Sequence, residues 1–338
     1  MTARPPRVSV LVLNLDGREH LDECLGSLAE TTFADREDVL VDNGSRDGSV
    51  VHVRERFPTV HVVAFPTNLG FAGAYDRVIR EHCESELVCL LNNDVRVAPG
   101  WLGELVAALD ADRDAAIAGA RLLSYPDGAR VDHDGGLISP IGAGVDIGKF
   151  HPPGPSGPPR ASGFACGAAL LVRRADYLAL GGFDPTYVIY HEDVEIAWKA
   201  WRAGRRVLHV PEAVVYHKGG ALMGRPDSPR RLYLSQRNRL RNLLKHRGAV
   251  GLARGLALSL GFDAVRSARF LLSADRERLR SLWRANRDVL AELGALMRAR
   301  AAFSPSADDE ALCASGVFAS VRASVTAFRD QQRAARLP

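Results

Sequence analysis

The chain has 338 residues, a formal net charge of +4 and 46% hydrophobic side chains, values ordinary for a globular protein with one large domain and an appendage. No run of about 18 apolar residues occurs, which excludes a transmembrane helix, and Arg4-Pro5-Pro6-Arg7 leads into an apolar segment without the form of a signal peptide. Cys24, Cys83, Cys89, Cys166 and Cys313 include no CxxC pair and follow no regular spacing, so reduced thiols and a cytoplasmic setting are expected rather than a disulfide scaffold.

In chain order, "VSVLVLNL" (8–15) reads as a strand closed by Asp16-Gly17, and Leu21, Cys24, Leu25 and Leu28 then recur at helical spacing. "DVLVDNGS" (38–45) is a second strand with a polar stop. A helix follows, with Ser45, Asp47 and Ser49 as candidate caps. "VHVVAFP" (60–66), the helix opened by "NLGFAGAYD", the strand 86–95 and a helix with Pro99 in its first turn complete four β-α units. Short apolar strands alternating with amphipathic helices predict a mostly parallel sheet covered on both faces. Residues 124–160, rich in Gly and Pro, read as loops with short strands, and 152–159 as either a mobile lid or an exposed connection. A strand near 161–174, a helix, an aromatic loop, a helix from about Asp193 and strands near 207–210 and 213–216 follow. Beyond Gly220 the chain is helical and basic: residues 225–300 hold 18 Lys and Arg against 6 Asp and Glu, a balance that suits something anionic.

The carboxyl ends of the strands carry polar groups where such sheets bind ligands. Asp42-Asn43-Gly44-Ser45 can accept from an N–H of a flat heterocycle, or form an Asx-type turn. Two glycines of Asn68-Leu69-Gly70-Phe71-Ala72-Gly73 offer amides to a phosphate or ribose, or merely pack a helix closely; the stretch is neither a Walker A loop nor GxGxxG. "LLNNDV" ends an apolar strand on Asn92, Asn93 and Asp94, which is a turn or a hard-ligand site for Mg2+ or Mn2+. His217 ends another strand and is either structural or a ligand. Glu192 and Asp193 open a helix behind Tyr187, Tyr190 and His191, as partners of its dipole or as a general base. Trp198 and Trp201 fall on the apolar stripe of that helix and are expected in the core.

In order and number, "VSVLVLNLDG", "VLVDNGSRDGS", "NLGFAGAYD", "LLNNDVRVAPGWL", "SGFACGAALLVRR", "GGFDPTYVIYHEDVEIAWKAWRAGRRVLHVPEAVVYHKGG" and "RNRLRNLLK" resemble the family-2 inverting glycosyltransferases of the GT-A fold, in their bacterial rhamnosyltransferase-type branch, over roughly residues 8–245. The resemblance implies an α/β GT-A fold (Rossmann-like, a mostly parallel sheet flanked by helices) with a C-terminal helical extension. Residues 1–222 would form the GT-A domain, its nucleotide half about 1–123 and its acceptor half about 124–222, and 223–338 a basic helical region. It further implies nucleotide-sugar binding by Asn14, Asp42, Asn68, Gly70, Asn92 and Asn93, with Asp42 on a pyrimidine base. Asp94 and His217 would hold a divalent metal, Mg2+ or Mn2+, and Asp193, paired with Glu192, would be the general base. Asn92 and Asn93 stand where many relatives carry acids, so a weakly held metal is expected.

The implied donor is a dTDP- or UDP-linked sugar, dTDP-rhamnose first. The implied acceptor is a glycan or a polyprenyl-diphosphate-linked saccharide. The basic tail suits the anionic inner face of the cell membrane, or else packs on the body or on a second subunit, so a homo-oligomer stays open. A catalytically impaired nucleotide-sugar-binding or scaffold protein of cell-envelope polysaccharide assembly is the rival reading. Nucleic acid is not expected, because the tail has few aromatics for base stacking, and "NLDGRE" lacks the glycines of a dinucleotide-binding oxidoreductase.

Overall fold

The computed structural model describes residues 4–219, 228–302, 312 and 315–334. The first half alternates as expected: β1 (Val8–Asn14), α1 (Arg18–Ala29), β2 (Arg36–Asp42), α2 (Ser49–Arg56), β3 (His61–Ala64), α3 (Gly70–Glu81), β4 (Leu87–Asn92), a short β5 (Val95–Val97) and α4 (Trp101–Ala111). The second half holds β6 (Ala115–Ser124), β7 (Val131–His133), β8 (Gly136–Ile138), β9 (Gly144–Asp146), β10 (Arg160–Ala161), β11 (Ala169–Arg173), α5 (Arg174–Ala179), α6 (Glu192–Arg202) and β12 (Arg206–His217). The helices α7 (Pro229–His246), α8 (Ala249–Leu272), α9 (Arg276–Ala291), α10 (Leu293–Ala302) and α11 (Val321–Ala334) follow.

The main sheet runs β10-β12-β6-β11-β4-β1-β2-β3. Strands β3, β2, β1 and β4 are mutually parallel, β11 is antiparallel to both β4 and β6, and β12 is parallel to β6. Both faces are covered, which is why the strands lack a polar alternation. Val10, Val12, Leu40 and Leu91 pack with Leu21, Leu25 and Trp101 on one face; Leu11, Val41 and Leu90 pack with Tyr75, Val78, Trp198 and Trp201 on the other. The two tryptophans are core, as their stripe predicts.

Four sequence expectations change. The strand expected near 161–174 is split into β10, Arg160–Ala161, and β11, Ala169–Arg173, with turns between them. The strand ending in Asn92 does not run on to Val95, because Asn93 and Asp94 turn the chain into β5, which pairs with β12. The strands expected at 207–210 and 213–216 are one strand, β12, whose register against β6 shifts between Val210 and Val214; Pro211, which cannot donate to a ladder, lies at this irregularity. Helix α2 starts at Ser49 with Gly48 as its left-handed cap, and Asp47 accepts from the Ser49 amide at 3.0 Å.

Helix α7 is built into the body. Its Asn238 amide donates to the carbonyls of Tyr187, Ile189 and Tyr190 at 2.9, 2.9 and 2.8 Å. Tyr187 Oη donates to Asn242 Oδ1 at 2.6 Å, and Lys245 pairs with buried Glu195 of α6. The aromatic loop held in this way contains three non-glycine residues at positive φ, Val188 (65°), Tyr190 (73°) and His191 (66°). Such conformations persist only where the surroundings over-determine them. Asn238→Ala is expected to lower stability by about 2–3 kcal/mol, since each buried polar group left unpaired costs about 1–3 kcal/mol. Urea unfolding checks this; an unchanged midpoint would show that the loop holds its own shape.

Candidate active site

Strands β1, β2 and β3 advance one way from the start of the sheet while β4 lies on the other side of β1, so the switch point falls at the carboxyl ends of β1 and β4. Asn93 Nδ2 donates to Asn14 Oδ1 at 2.6 Å across this point. Asn14 Nδ2 in turn donates to Asp42 Oδ1 and Ser45 Oγ, both at 3.1 Å. Asp42 Oδ2 takes the Ser45 amide at 3.0 Å, the Asx-type geometry weighed from the sequence. A Cβ at Gly17 would sit 2.2 Å from Asn93 Nδ2, so the Asn14–Asn93 bridge needs glycine there.

A cavity of about 170 Å³ opens beside the bridge, lined among others by Asn43, Asn68, Gly70, Asn92, Asn93, Asp94, His217, Tyr190, Arg230 and Arg231. Five of the expected nucleotide-sugar and metal residues therefore share one wall with Gly70, whereas Asn14 and Asp42 are buried and do not line it. The amides expected to be free at the start of α3 are taken. Gly70 N donates to Asn68 Oδ1 at 2.8 Å, and Phe71 N and Ala72 N both donate to Val188 O, at 2.6 and 3.3 Å. Close packing is the reason for the glycine: Gly70 has φ +77° and a Cβ would meet Val188 O at 2.9 Å.

Asp94 and His217 come together although 123 positions separate them in the sequence. Asp94 Oδ1 and His217 Nε2 are 3.3 Å apart, and both are buried atoms without an aligned hydrogen bond. His217 Nδ1 meets Asp132 Oδ2 at 2.6 Å, and Lys149 Nζ donates to Asp132 Oδ1 at 2.8 Å. Burial pulls the His217 pKa down, but the carboxylates of Asp132 and Asp94 carry it up to about 10. Burial would raise Asp94, yet the facing imidazolium and the charge of His20 hold it below its usual value.

The pair fits a divalent ion: one hard carboxylate and one imidazole whose far nitrogen is fixed by a second carboxylate, with the remaining positions left to phosphate and water. Among the described residues no group of three or more His, Cys, Asp or Glu could hold an ion. Because imidazole ligates only as the neutral ring, the ion and the ring proton compete for one position.

Asp193 is held from two elements: Oδ1 accepts the Val194 amide at 2.8 Å and Oδ2 the Gly167 amide at 3.2 Å. Burial pushes its pKa up against those two donors. Glu192 is pushed well up by burial and by the Asp193 charge, and its Oε2 is buried without a partner. Neither Asp193 nor Glu192 lines the cavity; Asp193 lies behind Phe71, across Gly167 in the lead-in to β11. A Cβ at Gly167 would lie 3.0 Å from the ring of Phe71, a cavity residue, and 3.8 Å from Asp193 Cβ, and Ala168 O accepts from Asn92 N at 2.9 Å. Burial, then the charges of Asp193 and Asp132, push the Cys166 thiol well up, so it stays protonated and is no nucleophile.

Asp132 and Lys149 lie in the segment that reads as loops with short strands and are not among the expected site residues; the acidic-His run "VDHDGG" is the available signal. In sequence, Arg230 and Arg231 read only as tail charge. They occupy the first turn of α7, after the capping Ser228 and Pro229, and face the cavity.

The sequence pattern described as Glycosyl transferase family 2 matches residues 9–177. The chain is 31% identical over 228 residues, 61% of its own length and 74% of the relative's, to N-acetylglucosaminyl-diphospho-decaprenol L-rhamnosyltransferase of Mycobacterium tuberculosis. It is 29% identical over 227 residues to O-antigen biosynthesis protein RfbC of Myxococcus xanthus, covering 64% of this chain and 18% of RfbC. Among solved structures, TarS 1-349 of S. aureus in complex with UDP-GlcNAc superposes with a TM-score of 0.59 at 17% identity, over 87% of this chain and 83% of that one. GalNAc-T7 with UDP, GalNAc and Mn2+ gives 0.58 at 20% identity, over 72% and 48%. The chain belongs to glycosyl transferase family 2, with the GT-A fold and the glycosyl-transfer activity of that family.

Proposed function

We propose that the protein is an inverting glycosyltransferase that moves a sugar from a nucleoside diphosphate onto a hydroxyl of a glycan or of a polyprenyl-diphosphate-linked acceptor. Rhamnose from dTDP-rhamnose is the donor favoured by the 31% identical relative, N-acetylglucosaminyl-diphospho-decaprenol L-rhamnosyltransferase. One observation carries the reading: the buried Asp94–His217 pair, 3.3 Å apart, lines the same cavity as the cationic first turn of α7.

In this mechanism the nucleotide lies over the carboxyl ends of β1 and β2, and Asp42, buried behind the cavity wall, exchanges the Ser45 amide for a thymine or uracil N–H. Asp94 and His217 would hold a Mg2+ or Mn2+ ion, which when bound supplies positive charge against the diphosphate. Arg230 and Arg231 add cations to the same cavity lining. Asp193 takes the proton of the acceptor hydroxyl while that oxygen bonds to the anomeric carbon; the bond from that carbon to the diphosphate breaks, and its electron pair leaves with the nucleotide. Attack from the side opposite the leaving group inverts the centre. The upward shift of the Asp193 pKa makes it a better proton acceptor than a free carboxylate.

A screen of activated sugars with Mn2+ and a lipid-diphosphate N-acetylglucosamine acceptor, scored as nucleoside diphosphate released, tests this. Acceptor-dependent release highest with dTDP-rhamnose is expected. Binding of nucleotide sugars with no turnover of any would establish the binding-only rival, which draws on the single carboxylate of Asn92-Asn93-Asp94.

A further inference from the structure

Helices α8 and α9 fold back to back on α7. Ser259 Oγ accepts from Arg239 at 3.0 Å, Asp263 accepts from Gln236 at 2.7 Å, and Arg266 donates to Gln236 at 3.0 Å. Rising numbers on α8 thus meet falling numbers on α7. The C-terminal end of α8 therefore lies by the first turns of α7, the end that lines the cavity. Tyr233 donates to Asp288 at 2.8 Å and the Arg278 guanidinium covers the Phe270 ring, which brings α9 to the same end.

This hairpin exposes what a stable globular surface hides. Leu271 is 65% and Leu272 91% exposed, with Val265 at 70% and Trp283 at 51%. Along α8 the exposed positions Val250, Ala253, Ala257, Leu260, Ala264, Ala268 and Leu271 follow helical spacing, so the outward stripe is apolar over the length of the helix. Its flanks are cationic. Arg254, Arg269, Arg276 and Arg280 are exposed and form no ion pair among the described residues. Of the carboxylates between residues 249 and 291, Asp263, Asp275 and Asp288 are already paired, which leaves Glu277. No helix among the described residues is long and apolar enough to cross a membrane.

We propose that the outer face of α8, its turn into α9 and Trp283 form a docking surface for an anionic lipid bilayer. Leucines and tryptophan enter the interface and the unpaired arginines meet the headgroups. An apolar stripe flanked by cations is the composition of an interfacial helix, and the acyl region accepts the leucines without needing a shape-matched partner. A second copy of the chain is disfavoured by the same charges. A two-fold contact sets identical patches against each other, which would bring unpaired arginines together with Glu277 as the one free acid to offset them. Docking in this orientation sets the cavity end of α7 beside the lipid surface.

The test uses the full chain and vesicles of phosphatidylcholine alone or with 30% phosphatidylglycerol, at low and high salt. Flotation with the anionic vesicles at low salt, weakened by salt, is expected. Of the four tryptophans, Trp101, Trp198 and Trp201 are buried, so a blue shift of the emission on binding reports Trp283. The double variant Leu271→Glu, Leu272→Glu should lower the vesicle partition coefficient at least tenfold while retaining the wild-type melting temperature and turnover on a water-soluble acceptor. Absence of wild-type flotation, or undiminished flotation of the double variant, would overturn the proposal. So would a wild-type dimer that the double variant makes monomeric, since the same leucines would then be covered by a second copy.

Discussion

Asp193→Asn is expected to keep nucleotide-sugar affinity within about twofold and to lower turnover by about 10²–10⁴-fold, the range that a positioned general base supplies. The asparagine retains the shape of the side chain and one acceptor oxygen for the Val194 or Gly167 amide, which the carboxylate engages at 2.8 and 3.2 Å, and loses the proton-accepting charge. Donor binding by calorimetry and single-turnover release of nucleoside diphosphate separate the two effects. Wild-type turnover in this variant would move the base elsewhere. Glu192, more deeply buried than Asp193 and pushed further up, would be the next carboxyl to replace.

Asp94→Asn should weaken Mn2+ binding in the presence of dTDP or UDP by roughly 100-fold or more. Asp132→Asn, which only frees the far nitrogen of His217, should weaken it by about 10–100-fold. The order matters more than the sizes: a residue touching the ion must cost more than one that orients its ligand. Titration of Mn2+ with and without nucleotide measures both. Wild-type protein should bind the ion loosely alone and more firmly with nucleotide, because one carboxylate and one imidazole leave most positions to phosphate. Tight stoichiometric binding without nucleotide, or an Asp94→Asn variant that binds as wild type, would place the ion outside this pair.

The β-α units up to α4 were legible because Val10, Val12 and Leu91 serve one face of the sheet while Leu11 and Leu90 serve the other, and an unbroken apolar run records both. Polar strand ends were legible for the same reason: Asn14 and Asn92 to Asp94 interrupt runs that packing alone would continue. The loops after β6 were not. Strands β7, β8 and β9 have three residues each, too few for a period of two to show. Spacing could not join Asp132 to His217, 85 positions away, nor Asn238 to the loop carbonyls, about 50 positions away, since these pairs exist only once the chain has closed. Arg230 and Arg231 look like plain surface charge because a run of arginines carries no record of which members line a cavity.

Strand β11 runs against its neighbours β4 and β6, and this has a mechanical result. The parallel strands end at the site, whereas the reversed one begins there, so Gly167 arrives at that edge with its amide still unspent on the ladder and bonds Asp193. The carboxylate proposed as the proton acceptor is thereby moored to the lead-in of a central strand. Under the proposed mechanism, surface segments around this anchor can change length and composition without moving it, so one scaffold suits different acceptors.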